Sequence, residues 1–225
     1  MIEEQWTKVD EYLTGLLVPT DSALARALYA SDEAGLPPIQ VSPPQGKLLY
    51  LMACAIGARR ILEIGTLGGY STIWLARALP PDGKLITLEA DPAHAKVARS
   101  NIARAGFSKM VELREGLALE TLPRLAAEKI GPFDLIFIDA DKPNTAPYFE
   151  WSLKLSHVGT MVIADNVVRK GAIVDSQNDD PNVQGMRRFH EYLSREKRVD
   201  ATAIQTVGCK GYDGFVLALV KEATV

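Results

Sequence analysis

Two cysteines in 225 residues are too few for a disulfide framework. Cys54 lies in an apolar stretch and Cys209 in Gly-Cys-Lys-Gly, so neither has the C-x-x-C spacing of a zinc or redox motif. They read as two reduced thiols of a cytoplasmic chain. Histidine is equally sparse: His94, His157 and His190 lack H-E-x-x-H spacing and a nearby cysteine, which points to exposed or capping roles. No charge of one sign dominates, because 25 Lys+Arg face 28 Asp+Glu for a net charge of -3. That balance gives no general attraction to nucleic acid or anionic lipid. A long hydrophobic run is missing too: the apolar stretch 48–58 falls well short of the roughly 20 residues that span a bilayer. The opening Met-Ile-Glu-Glu-Gln-Trp is not a basic region followed by an apolar one. The expectation is a soluble, cytoplasmic protein with no membrane or nucleic-acid partner. Neither a G-x-S-x-G elbow nor a Walker loop is present, which removes the main hydrolase and kinase signatures.

What is present is an ordinary globular composition, 47% hydrophobic and 24% charged. A single domain of this size buries roughly 70% of the surface of its unfolded chain, so no metal is needed to hold its core together. Any metal site is then functional. There is no internal repeat, and the pairs Pro37-Pro38 and Pro43-Pro44 are too short to be a linker, so residues 1–225 read as one domain.

Apolar spacing predicts two helices within 5–34, interrupted near 17–21 and ended by Gly35, and a third over 44–55. Short apolar runs then alternate with helical stretches. Strands are predicted at 60–64, 84–89, 110–114, 133–138 and 160–164, with helices at 70–79, 92–105, 118–129 and 144–155. Continuous apolar strands separated by helices are buried on both faces, as in a parallel α/β sheet. A polar loop over 169–182 leads to an amphipathic helix near 183–197. Strands near 201–207 and 214–220, joined by a hairpin-like connection, add an antiparallel strand at the sheet's end.

The chemistry concentrates at predicted strand ends. Strand 60–64 runs into Gly65-Thr66-Leu67-Gly68-Gly69-Tyr70-Ser71, a glycine-rich turn placed where open α/β sheets bind ligands. The turn is not G-x-G-x-x-G, so the dinucleotide fingerprint fails. Glu63 before it would repel a pyrophosphate and suits a ligand bearing an ammonium group. Glu89 closes the second strand, where a carboxylate accepts both hydroxyls of a ribose. Asp91, followed by Pro92, reads as a helix cap. Strands four and five end in Asp139-Ala140-Asp141-Lys142 and Asp165-Asn166. Asp139, Asp165 and Asn166 form a hard-oxygen set suited to Mg²⁺, Mn²⁺ or Ca²⁺ rather than zinc.

Taken in order, Glu63 to Ser71, Glu89-Ala90-Asp91-Pro92, Gly116-Leu117-Ala118, Asp139-Ala140-Asp141-Lys142 and Asp165-Asn166 resemble the cation-dependent O-methyltransferases of the caffeoyl-CoA and catechol type. The resemblance runs from about residue 40 to the C-terminus. It implies a Rossmann-like methyltransferase fold, with a mostly parallel seven-stranded sheet flanked by helices and an antiparallel strand near the C-terminus. It implies S-adenosylmethionine along the strand ends, with Val41, Glu63, Gly65, Thr66 and Ser71 around its methionine portion, Glu89 on the ribose and Ala118 on the adenine. Asp139, Asp165 and Asn166 match the family's metal ligands, Asp139 also lies near the cofactor, and Lys142 matches its general base. Further implications are a small phenolic acceptor with adjacent hydroxyls, a homodimer, and residues 1–42 as a helical extension covering the site.

Two departures fall where the acceptor belongs. Thr145 stands where tyrosine is common, with Tyr148 three residues on, and Val167-Val168-Arg169-Lys170-Gly171 replaces an aromatic and small residues. Arg169 or Lys170 favours an acidic acceptor unless both are solvated loop charges. The competing readings are a nicotinamide-dependent dehydrogenase, disfavoured by the failed fingerprint, a non-catalytic cofactor-binding scaffold, and a methyltransferase acting on RNA or protein.

Overall fold

A computed structural model of the chain describes residues 2–222. Its elements are α1 (Ile2–Leu17), α2 (Ser22–Glu33), α3 (Pro43–Ala55), β1 (Arg60–Ile64), α4 (Tyr70–Ala78), β2 (Lys84–Glu89), α5 (Pro92–Arg104) and β3 (Val111–Glu115). There follow α6 (Ala118–Ala127), β4 (Phe133–Ile138), α7 (Thr145–Lys154), β5 (Ser156–Asp165), α8 (Pro181–Arg195), β6 (Val199–Gly208) and β7 (Gly211–Val220).

The seven strands form one sheet in the order β3-β2-β1-β4-β5-β7-β6. The strands β1 to β5 pair in parallel, and β7 is antiparallel to both β5 and β6. The expected fold class is therefore observed. Alternating strand residues serve two cores. Leu62, Ile64, Ile86, Leu88, Ile136 and Ile138 meet α6, α7 and α8 on one face, while Ile61, Leu85, Leu135, Phe137 and Ile163 meet α3 and α4 on the other. Burial of this kind, at about 25 cal/mol per Å² of apolar surface, is what holds such a sheet together.

Helix starts obey the expected chemistry. Asp91 accepts from the Ala93 and His94 N–H groups ahead of Pro92, and Ser42 accepts from Gln45 ahead of Pro43. Two predicted boundaries move. Strand β5 begins at Ser156 rather than 160, because Thr160 Oγ1 takes the His157 N–H and donates to the Phe133 carbonyl, extending the pairing with β4 through polar residues. The last two strands approach to Gly208 and Gly211, a tighter connection than the sequence suggests. Among the described residues no helix is long and apolar enough to cross a membrane, and Cys54 and Cys209 are free and exposed.

Candidate active site

The carboxyl ends of β1, β2, β4 and β5 open into a cavity of about 520 Å³, a size typical of small-molecule sites. At one end the turn after β1 forms its floor. Gly65 has φ 100°, and a Cβ there would overlap the Asp139 carbonyl, so only glycine lets β1 and β4 close together above the sheet. Gly69, at φ 83°, starts α4.

Glu89 fixes this turn. Its Oε2 accepts from the Thr66 and Leu67 N–H groups at 3.2 and 2.7 Å, and Oε1 accepts from the Asp91 N–H at 3.0 Å. A carboxylate offers about four acceptor positions, so one is left for a ligand hydroxyl. His94 Nδ1 stands 3.6 Å from the same carboxylate. Leu117 and Ala118, from the start of α6, form an apolar flank.

Glu63 stands behind the wall. It shares the parity of Ile61, which turns it onto the α3 and α4 face, and it is wholly buried. Ser71 and Thr72 donate to it at 2.6 and 2.5 Å, and Thr87, its partner in register on β2, donates at 2.7 Å. Burial raises its carboxyl to about 7 against those hydrogen bonds, and the Asp139 charge adds to the rise. Its influence reaches the cavity through Ser71, which lines it.

At the other end, β4 and β5 deliver Asp139, Asp165 and Asn166. Lys142, buried in the 3₁₀ turn after β4, donates to Asp139 Oδ1 at 2.9 Å. Asp165 is also buried, and Gln45 of α3 donates to its Oδ2 at 2.7 Å. Burial raises the Asp165 carboxyl, the Asp139 charge raises it further, and Lys142 opposes both. A buried carboxylate facing a second negative charge favours a cation nearby. Among the described residues no group of three or more His, Cys, Asp and Glu side chains could hold a metal ion, and this set instead joins two carboxylates to one amide. Its donors are hard oxygens, which fit a Mg²⁺-class ion completed by water or ligand oxygens. Tyr148 donates to Asp141, and burial together with that carboxylate raises the phenol.

Of the predicted residues, Val41, Gly65, Thr66, Ser71, Glu89, Ala118, Asp139, Lys142 and Asn166 line the cavity, whereas Glu63 and Asp165 stand behind it. The structure adds Gln45, His94 and Asn182, none of which sequence reasoning singled out for the site. His157 pairs with Asp134 and His190 with the Val167 carbonyl, both away from it. Lys170 is exposed as a loop charge, but Arg169 faces the cavity. Leu67, Asn166 and Arg169 line it with positive φ, backbone strain of the kind that gathers at functional sites.

Residues 21–221 match the family model described as O-methyltransferase. The catechol O-methyltransferase of Niastella koreensis is 53% identical over 221 residues, covering 98% of this chain and 100% of that protein. Its namesake from Mycobacterium tuberculosis is 54% identical over 213 residues, covering 95% of each. An O-methyltransferase from Bacillus cereus, solved in complex with SAH, superposes with a TM-score of 0.96 at 57% identity, covering 98% of this chain and 100% of that one. TomG from Streptomyces achromogenes, involved in tomaymycin synthesis and solved with SAM, gives a TM-score of 0.95 at 54% identity, covering 98% and 99%.

Proposed function

The chain belongs to the O-methyltransferase family, and from that premise we propose that it methylates a hydroxyl of a catechol-like small phenol, using S-adenosylmethionine and a divalent cation. The observation that carries this reading is the meeting of Lys142, Asp139, Asp165 and Asn166 at one end of a cavity whose other end is the Gly65 turn and Glu89. The SAH and SAM complexes of close structural relatives support the choice of methyl donor.

In this reading the Gly65 turn, Val41 and Ser71 receive the methionine portion of the donor, the free acceptor position of Glu89 takes a ribose hydroxyl, and Ala118 and Leu117 flank the base. Asp139, Asp165 and Asn166 would hold the cation. When bound, such an ion supplies positive charge that favours phenolate over phenol and orients two adjacent oxygens. Lys142 Nζ, as the neutral amine, takes the proton of the hydroxyl to be methylated, and Asp139 then holds the ammonium that results. As the oxygen–methyl bond forms, the sulfur–methyl bond breaks and the charges of anion and sulfonium cancel. Fixing both partners in one cavity is the larger contribution, since effective molarities reach about 10⁵ M or more in well-oriented systems.

A second copy of the chain is the proposed partner. Helix α1 has no buried residue and exposes Val9, Tyr12, Leu16 and Leu17, and Ile204 and Val207 are exposed on β6. Apolar exposure on α1 and on β6, which contact each other, supports that reading.

The reading is tested by methyl transfer to a panel of catechols with Mg²⁺, with EDTA, and with Asp165→Ala. Turnover that stops with EDTA and in the variant is expected. Turnover indifferent to EDTA refutes the cation's role. Tight S-adenosylmethionine binding without any turnover moves the assignment to a scaffold.

A further inference from the structure

Arg169 stands apart from the other groups at the acceptor end. It lies in the segment after β5, where Asn166, Arg169, Lys170 and Gly171 all have positive φ. Three of these carry side chains that disfavour that region. The segment is held there from outside: Asp213 Oδ1 on β7 accepts from the Val168 and Arg169 N–H groups, each at 2.9 Å. The Val167 N–H donates to the Gly214 carbonyl at 3.0 Å, and Val167 and Val168 are buried beneath. A corner tied in this way presents Arg169 at a fixed place in the cavity wall beside Asn166.

Its guanidinium is only loosely ion-paired, with Asp213. Nη1 is 3.9 Å from Asp213 Oδ2, beyond hydrogen-bond range, and the other oxygen of that carboxylate is taken by the two backbone amides. Nε is buried with no hydrogen-bond partner. A guanidinium carries five N–H donors in a planar fork that matches a carboxylate, and a buried donor is disfavoured until an acceptor reaches it. Lys142 is committed to Asp139, and Asp141 is occupied by Tyr148 and Asn144. Arg169 is thus the cation of this end with capacity to spare.

We propose that Arg169 selects methyl acceptors whose ring carries a carboxylate in addition to the hydroxyls, an inference that rests on the O-methyl transfer proposed above. The ligand's carboxylate would meet the part of the guanidinium that is not closed off from the cavity, its Nη groups, and the tethered corner keeps Arg169 in the cavity wall.

The test compares 3,4-dihydroxybenzoate with its neutral amide, which match in shape and differ in charge. Wild type, Arg169→Met and Arg169→Lys are each read in two ways: the ratio of kcat/KM for the two acceptors, and the ratio of their dissociation constants measured calorimetrically with S-adenosylhomocysteine and Mg²⁺. Wild type favours the benzoate in both. Arg169→Met lowers each ratio by about fivefold or more, through KM rather than kcat, and Arg169→Lys, which keeps the charge, recovers part of the loss. A wild-type preference for the amide overturns the inference. So does a ratio within about twofold of wild type in an Arg169→Met protein that melts normally. If neither compound is methylated, the catechol panel above decides the transfer reaction, and the binding ratio still decides the role of Arg169.

Discussion

Replacing Glu63 with glutamine isolates one buried proton. Burial raises the Glu63 carboxyl to about 7 from an ordinary value of 4.5. An acid with a higher value folded than unfolded binds more protons in the native state between those two pH values. Its contribution to stability is therefore complete below about 4.5 and lost as pH rises through about 7. At about 1.4 kcal/mol per tenfold change, that gap amounts to about 3 kcal/mol. A glutamine side chain has nearly the same shape and does not titrate, and the hydroxyls of Ser71, Thr72 and Thr87 can rotate to meet its amide, so the offset of Glu63→Gln is independent of pH. Urea denaturation of both proteins across about pH 4.5 to 8 supplies the measurement, because the difference between them cancels every other titration. Relative to Glu63→Gln, wild type should lose about 3 kcal/mol over that range, worth roughly 6–12 °C in Tm for a chain of this size. A difference that stays constant within about 0.5 kcal/mol would mean that Glu63 ionises as readily folded as unfolded, and the account of burial at this site would be refuted.

Lys142→Met should lower kcat by about 10²-fold or more at saturating acceptor, with S-adenosylmethionine affinity nearly intact; an unchanged kcat and pH profile would remove the proton-transfer role. Gly65→Ala should cost about 1–2 kcal/mol from the backbone at φ 100° alone. The overlap with the Asp139 carbonyl adds to that, so thermal melting should fall and calorimetry should show at least about tenfold weaker S-adenosylmethionine binding.

The central strands were legible because burial on both faces leaves a nearly continuous apolar run, unbroken in Leu135-Ile136-Phe137-Ile138 and broken only by Glu63 in Ile61-Leu62-Glu63-Ile64. The start of β5 was not, since Ser156-His157-Val158-Gly159 is short of buried apolar residues and pairs only through its backbone and Thr160. Strand tips announced Glu89, Asp139, Asp165 and Asn166 through their position alone. Glu63 was harder to place: alternation assigns it to the face of Ile61, but the hydroxyls that receive it depend on the register that sets Thr87 beside it, and register is a property of two strands. Gln45, which reaches Asp165 across 120 positions of chain, carries no local signal. Arg169 illustrates the same limit. Its charge was visible in the sequence, while its difference from the exposed Lys170 next to it depends on the Asp213 tether from a distant strand.

That tether divides the molecule in an unexpected way. The end of the cavity formed by the Gly65 turn and Glu89 hangs on β1, β2 and the turn before α6, all drawn from the first half or the middle of the chain, whereas the corner at 166–171 is fastened by Asp213 and Gly214 near its end. That corner is thus fastened by a later stretch of sequence than the Gly65 turn and Glu89. If Arg169 selects the acceptor as proposed, exchanging 167–171 together with 211–215, which leaves Asn166 and the Gly65 turn in place, retunes which molecules are accepted and makes substrate range in this scaffold a transplantable cassette.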